Sequence, residues 1–135
     1  MTLDTQSLAY AAAQIVHNFG AVAVVGGAVC ALVWREAEVQ RRVARLVLAG
    51  WLVQAVSGAS FGAISYYYYA KFPDIHGIAV AALVVKVVCV VLGSTLAAWQ
   101  LRSRVAETSR RYLWLVLCGL GVLALGSAAV LRWFS

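Results

Sequence analysis

The chain has 135 residues, of which 64% are hydrophobic and only 12% charged, and its net charge is +6 at pH 7. A soluble domain carries about 25% charged residues because its surface faces water, so this composition excludes an ordinary soluble fold and indicates the lipid bilayer as the chain's surroundings. The positive charge does not indicate nucleic acid as a partner. Most of the basic residues lie in two short segments between apolar runs, a placement typical of loops beside lipid head groups.

Four long apolar stretches follow one another along the chain and predict four transmembrane helices in a single domain over residues 1–135. In chain order the predicted spans cover residues 8–34, 46–68, 75–99 and 112–131. Each has the ~20 residues that a helix needs to cross the hydrocarbon core at ~1.5 Å per residue. The short connections predict that consecutive helices are antiparallel neighbours. The expected fold is therefore an all-α, up-down-up-down four-helix transmembrane bundle.

The basic residues predict how the chain is oriented in the membrane. The first and third connections hold Arg35, Arg41, Arg42, Arg45, Arg102, Arg104, Arg110 and Arg111. The opposite side has only Lys71 in its loop and Arg132 near the C-terminus. Short loops rich in arginine stay in the cytoplasm. Both termini are therefore expected on the other side, N-out and C-out, in a multi-pass protein of a bacterial-type inner membrane.

Aromatic, small and uncharged polar residues predict how the helices sit and pack. Trp34, Trp51, Trp99 and Trp114 are expected to line the cytoplasmic interface, where amphipathic rings are enriched. Glycines are expected to let the helix backbones approach closely: Gly20, Gly26, Gly27, Gly58, Gly62, Gly119, Gly121 and Gly126. Uncharged polar residues, Gln54 and Ser57 among them, are expected to hydrogen-bond between helices.

Ionisable residues inside the predicted spans are few, and each is a functional hypothesis because placing it in lipid costs several kcal/mol. They are His17 and Lys86, with His76 at the mouth of the third span. Counting from Trp34 or Trp99 at ~1.5 Å per residue places His17 about 25 Å, Lys86 about 20 Å and His76 about 35 Å from the cytoplasmic interface. His17 and Lys86 are thus predicted at similar depth, with His76 further out.

A polar stripe on the first helix predicts where a binding pocket lies. Gln14, His17 and Asn18 follow i, i+3, i+4 spacing and share one helical face. In lipid we expect this stripe to turn inward. The pocket is expected in the outward-opening half of the bundle, built from the stripe with Lys86, Ser65 and some of residues 66–69.

The first helix reads His17-Asn18-Phe19-Gly20-Ala21 and continues to Gly26-Gly27, and in this it resembles the first helix of the copper-resistance protein D family. The third helix, with Gly77 and then Lys86 before an apolar run, is similar to the same group. That group is akin to the four-helix, haem-binding bacterial protoporphyrinogen oxidases, which have an intramembrane histidine in the first helix and a lysine further on. The resemblance implies roles for His17 and Lys86. Two departures limit it: Met1 is the only methionine, so the thioether ligands that suit Cu(I) are missing, and the oxidases' Pro-Arg-Leu-Phe-Val-Tyr-His signature is absent.

Three functions remain open from the sequence, and whether the chain is an enzyme stays open with them. The first is a haem b-binding redox or electron-transfer protein with His17, Lys86, Asn18 and Gln14 around the cofactor. A bis-histidine site within one chain is not expected, because two axial ligands must share a depth and His17 and His76 do not. The second is a copper-handling or small-solute transport component with His17 and His76 as metal ligands. The third is an accessory subunit without a cofactor, in a homo-oligomer or a larger membrane complex.

Overall fold

The structure, a computed structural model, describes residues 4–102 and 105–134, and this part of the chain folds into four α-helices without a strand. The helices are α1 (Thr5–Val33), α2 (Ala37–Tyr69), α3 (Ile78–Arg102) and α4 (Glu107–Phe134). Each is long and apolar enough to cross a membrane. The prediction of an all-α chain with four helices long and apolar enough to span a membrane is therefore confirmed for the described residues.

The helices extend beyond the predicted spans, most of all at the start of α2. This helix begins at Ala37, so most of the arginines expected in the first loop lie on helix, and the connection shrinks to residues 34–36. Charged residues continue the helix because they stabilise its first turns. Glu38 lies in the first turn, where the helix dipole favours an acidic group, and Arg42 bridges to it at 3.0 Å. In the third connection, Arg104 lies outside the described residues.

The connection between α2 and α3 includes His76, which was expected at the mouth of the third span. Ala70 ends α2 in the left-handed backbone region, with φ of 53°. Gly77 has φ of 54° directly before α3 begins at Ile78. Glycine adopts this conformation without strain, so Gly77 lets the chain turn into α3 at this point. His76 consequently lies outside the helices.

Each helix packs against two others. α1 packs against α2 and α4, and α3 also packs against α2 and α4, so α1 and α3 lie diagonally across the bundle. The end of α1 and the starts of α2 and α4 border one cavity. Near the other end of α1, Gln6 donates from Nε2 to the Tyr69 hydroxyl at the end of α2, at 2.6 Å. A side chain that joins α1 to α3 must therefore cross the centre of the bundle.

Two of the four tryptophans expected at the cytoplasmic interface lie inside the bundle instead. Trp51 and Trp114 are 0% and 1% exposed, whereas Trp34 and Trp99 remain exposed. Trp51 enters the core because α3 presents no side chain opposite it: a Cβ added to Gly93 would lie 2.2 Å from the indole ring. The interfacial prediction is wrong for Trp51 and Trp114, whose rings belong to the hydrophobic core.

Close contact between α1 and α2 depends on glycine, as the small residues of these helices predict. A Cβ on Gly20 would lie 2.9 Å from Val53 and 3.2 Å from the carbonyl oxygen of Gly50. One on Gly27 would lie 2.6 Å from a valine of α2. Gly20 and Gly27 follow His17 at helical spacing, so the three residues share a face of α1. The contact therefore turns His17 toward α2.

Candidate functional site

His17 is the centre of a hydrogen-bonded group inside the bundle. The residue is 7% exposed, and both ring nitrogens have partners. Its Nδ1 lies 2.7 Å from Ser57 Oγ on α2, and its Nε2 lies 2.8 Å from Lys86 Nζ on α3. The contact confirms that His17 and Lys86 lie at similar depth. Lys86 reaches His17 across the diagonal of the bundle, so three helices contribute to one network.

The partners of His17 determine where the imidazole proton lies. Ser57 donates its hydroxyl hydrogen to the backbone carbonyl of Val53 in its own helix, so its oxygen is left to accept from Nδ1–H of His17. Nε2 then carries the lone pair and accepts a hydrogen bond from Lys86, whose ammonium only donates. The network thus assigns a neutral imidazole with Nε2 as its basic nitrogen. Each polar group in it has a partner, as buried polar groups require.

The backbone of His17 is held as firmly as its ring. Gln54, one helical turn before Ser57, donates from Nε2 to the His17 carbonyl oxygen. Phe61, one turn after Ser57, packs edge-on against the imidazole with ring centroids 5.7 Å apart. These three residues lie on one face of α2. That face therefore fixes both the position of His17 and the rotation of its ring.

The ammonium of Lys86 has no acidic partner among the described residues. The two ion pairs found there are Arg42–Glu38 and His76–Asp74. The acidic residues of the chain all lie at helix ends or in connections: Asp4, Glu36, Glu38, Asp74 and Glu107. A cation inside an apolar span without a carboxylate is expensive. The site therefore suits a ligand that brings a negative charge.

The other two residues of the predicted polar stripe do not enter this site. Gln14 and Asn18 are exposed, and Gln14 Nε2 donates to Asn18 Oδ1 at 2.7 Å. The expectation that the whole stripe turns inward is wrong for these two residues. Only His17 falls on the side of α1 that carries Gly20 and packs against α2, whereas the neighbouring amides project beyond the helix contact.

The expected outward-opening pocket does not include Ser65 or the tyrosines that follow it. Ser65 is buried and donates to the backbone carbonyl of Lys71 at 3.1 Å, which holds the chain as it leaves α2. Residues 66–69 are exposed at the end of α2. Tyr69 accepts the hydrogen bond from Gln6 near the start of α1. The polar residues at this end thus connect helix ends, and the buried site contains only the network around His17.

His76 and the cysteines lie apart from the site. His76 Nε2 is 3.3 Å from an Asp74 carboxylate oxygen, and the two side chains are 81% and 84% exposed. The structure therefore does not bring His76 to His17. Among residues 4–102 and 105–134, no group of three or more His, Cys, Asp or Glu side chains is arranged to hold a metal ion. The cysteines, free in this structure, are Cys30, Cys89 and Cys118.

Gln54 and Ser57 hold His17 in place, and the sequence predicted them only as contacts between helices. Their bonds to His17 agree with that general expectation, but the spacing carried a stronger signal. Gln54, Ser57 and Ser65 recur at intervals that place them on one face of α2. This shared polar face of α2 was the signal in the sequence that Gln54 and Ser57 turn toward a neighbouring helix.

Neither a family model, nor a curated protein, nor a solved structure matches the chain. The resemblance of the first and third helices to the copper-resistance protein D group stays a prediction.

Proposed function

We propose that this chain is a membrane-embedded haem-binding protein of redox or electron-transfer function, in which His17 would hold the haem iron. The observation that carries the proposal is the arrangement of the imidazole, which is buried, held through Nδ1 by Ser57, and turned with its basic Nε2 toward Lys86. Metal-binding histidines almost always donate their other ring N–H to a fixed partner, which sets the tautomer and the ring orientation. Imidazole is also a common haem ligand between bundle helices.

The donor chemistry around His17 fits a haem b. Nε2 would hold the haem iron, which would require Lys86 to leave the imidazole. A lysine side chain is long and flexible, and this one is held by no carboxylate among the described residues. Once displaced, its ammonium is a suitable partner for a haem propionate. The bound haem would supply a one-electron couple, Ser57 would keep the imidazole oriented, and Lys86 would provide positive charge beside the cofactor.

We also propose that the bundle has up-down-up-down topology in a bacterial-type inner membrane, with both termini outside the cytoplasm. Two sets of contacts support this topology. Gln40 near the start of α2 donates to the carbonyls of Ala31 and Trp34 at the end of α1, and Gln6 near the start of α1 bonds Tyr69 at the end of α2. The orientation is supported by the concentration of arginine at one end of the bundle.

A second candidate is an accessory subunit of a homo-oligomer or a larger membrane complex. The exposed Gln14–Asn18 pair on α1 favours it, because amide groups that face lipid lack the partners that water would give them. A neighbouring protein helix on this face would supply those partners. Copper handling or solute transport through His17 and His76 has less support, since His76 pairs with Asp74 in an exposed connection.

The haem proposal is tested by the absorption spectrum of the detergent-purified protein before and after reduction with dithionite, together with iron and copper analysis. We expect a reduced-minus-oxidised haem spectrum in the wild type. His17→Ala should abolish the bound species while leaving helicity and expression largely intact. Lys86→Met should retain haem and lower its midpoint potential, because removing a nearby cation favours the more positive oxidised iron.

His76→Ala is the matched control, since it removes the only other histidine from an exposed position. It should leave both the spectrum and the metal content unchanged. Wild-type protein from cells replete in iron and copper that contains neither metal would retire the ligand role of His17. That result would leave the accessory subunit as the better proposal.

A further inference from the structure

A second polar site lies at the arginine-bearing end of the bundle. A cavity of about 240 Å³ opens there between the end of α1, the start of α2 and the start of α4. Its polar wall consists of Arg35, Gln40, Glu107, Thr108 and Arg111, and two apolar residues from the last turn of α1 complete it. Drug-sized ligands occupy roughly 300–1,000 Å³, so this cavity suits a head group or a small ion.

The side chain of Gln40 gives the cavity a buried hydrogen-bond acceptor. Gln40 is 9% exposed, and its Nε2 donates to the carbonyl oxygens of Ala31 at 2.9 Å and Trp34 at 3.2 Å. Both N–H groups are thereby used on the end of α1. The Oε1 atom is buried without a partner among the described residues, and Gln40 borders the cavity. A ligand with a hydroxyl or ammonium donor would satisfy it.

Two guanidinium groups give the same cavity a positive charge. Arg35 lies in the connection after α1, and Arg111 lies near the start of α4. Neither forms an ion pair with a described residue, although Glu107 precedes Arg111 by one helical turn and borders the same cavity. Two cations against one carboxylate leave a net charge of about +1, and the free N–H groups at the start of α4 favour an anion as well.

We propose that this cavity binds a hydroxyl-bearing phosphate ester, the chemistry of a phosphatidylglycerol-type lipid head group or of a soluble glycerol phosphate. Arg35 and Arg111 bind the phosphate oxygens through charge-assisted hydrogen bonds. Gln40 Oε1 accepts a hydrogen bond from the hydroxyl. Glu107 accepts a second one, which explains how a carboxylate fits in an anion site. Basic cavities between the ends of transmembrane helices bind lipid head groups by such contacts.

Native mass spectrometry of the full chain in neutral detergent tests the site, with short-chain phosphatidylglycerol, phosphatidylmethanol and phosphatidylcholine as probes. Phosphatidylmethanol carries the same charge as phosphatidylglycerol but no hydroxyl. We expect affinity to fall in the order phosphatidylglycerol, phosphatidylmethanol, phosphatidylcholine. The double variant Arg35→Gln/Arg111→Gln should bind phosphatidylglycerol about tenfold more weakly or worse, as expected for lost hydrogen bonds between charged groups.

The double variant Arg41→Gln/Arg45→Gln is the matched control. It removes the same charge from the same end of the bundle, and all four arginines are exposed, but neither Arg41 nor Arg45 borders the cavity. Its affinity for phosphatidylglycerol should stay within about twofold of the wild type. Equal losses of phosphatidylglycerol affinity in the two double variants would overturn the proposal, because the affinity would then depend only on general attraction between charges and not on the cavity.

Gln40→Leu tests the hydroxyl contact separately. It should remove the preference for phosphatidylglycerol over phosphatidylmethanol while the arginine-dependent binding of both lipids remains. A thermal melt followed by circular dichroism shows whether this variant is folded, since Gln40 also holds the end of α1. If the folded variant keeps the full preference, the proposed hydroxyl contact is wrong.

Glycerol 3-phosphate and inorganic phosphate distinguish the source of the ligand. Binding of glycerol 3-phosphate with the same dependence on Arg35 and Arg111 would support the site and assign it to soluble phosphate esters as well as lipids. Binding of the lipids but not of glycerol 3-phosphate would assign the site to lipid head groups. Inorganic phosphate bound more tightly than every hydroxyl-bearing ester would overturn the proposal. None of these measurements depends on haem, so their outcome is independent of the function proposed for His17.

Discussion

The contact between Gly93 and Trp51 makes the packing of α2 against α3 testable by the addition of a single methyl group. In Gly93→Ala the new Cβ would lie 2.2 Å from Trp51 Cε2, 2.5 Å from Cζ2 and 2.6 Å from Nε1. Non-bonded carbon atoms are at their optimum about 3.5–4.0 Å apart, so the methyl group falls short of a normal contact by more than 1 Å. Trp51 is 0% exposed, so its ring is enclosed by neighbouring residues and cannot turn toward the surface.

The net effect on stability can be estimated from two opposing contributions. Overpacking of a filled core destabilises by about 1–3 kcal/mol, and a contact this short with a rigid ring belongs near the upper end. Replacing glycine by alanine inside a helix stabilises by about 0.5–1 kcal/mol. We therefore expect Gly93→Ala to lower the free energy of unfolding by about 2 kcal/mol. In the Trp51→Leu background, where the smaller side chain leaves room, the same change should have little effect.

The assay is unfolding in mixed micelles titrated with a denaturing detergent, followed by the circular dichroism of the helices. Gly119→Ala and Gly126→Ala are matched controls, because a Cβ at either position meets nothing within 4 Å. They should leave stability unchanged or raise it. If Gly93→Ala behaves like these controls, or if Trp51→Leu does not reduce its effect, the α2–α3 contact described above is wrong.

Two further predictions concern the site and the topology. Ser57→Ala leaves Nδ1–H of His17 without a partner and should destabilise the protein by about 1–3 kcal/mol in the same assay. Ser60→Ala is the control, because the exposed Ser60 hydroxyl bonds only its own helix, and it should change stability by less than about 0.5 kcal/mol. Equal effects of the two changes would contradict the buried network. Reporter fusions at Ser109 should report the cytoplasm and fusions at Asp74 the outside, because arginine-rich connections stay inside. A fusion at the C-terminus that reports the cytoplasm would refute this orientation.

The number and approximate position of the helices could be predicted because the residues that face lipid in a span are predominantly apolar and the backbone of the span must bond internally. The helix ends could not be predicted from hydropathy. Charged residues such as Glu38 and Arg42 suit a helix as well as a loop once they lie outside the lipid, and their i, i+4 pairing favours the helix. The burial of Trp51 could not be predicted either, because it depends on Gly93 of another helix.

The depth of the candidate site's residues along their helices could be predicted from the sequence. Distance from the end of a span follows from counting residues, and counting placed His17 and Lys86 at one level. Which side chains of α1 point into the bundle could not be predicted in the same way, because Gln14 and Asn18 lie within about 100° of His17 around the helix. Which part of that arc faces the bundle depends on the neighbouring helices. The recurrence of His17, Gly20 and Gly27 at helical spacing was the available signal, since the glycines mark the line of closest approach.

The two ends of the buried network differ in how firmly they are held, and this difference bears on the proposed ligand exchange. His17 is fixed by α2 at its carbonyl oxygen, its Nδ1 and its ring face. Lys86 comes from α3, which does not pack directly against α1, and only its terminal atom reaches the imidazole. In the proposed complex, iron at Nε2 would displace the flexible Lys86 side chain, while Ser57 would keep the tautomer of His17. Because a displaced ammonium still needs an anionic partner inside the span, an uncharged metal complex fits this site less well than one that carries carboxylates.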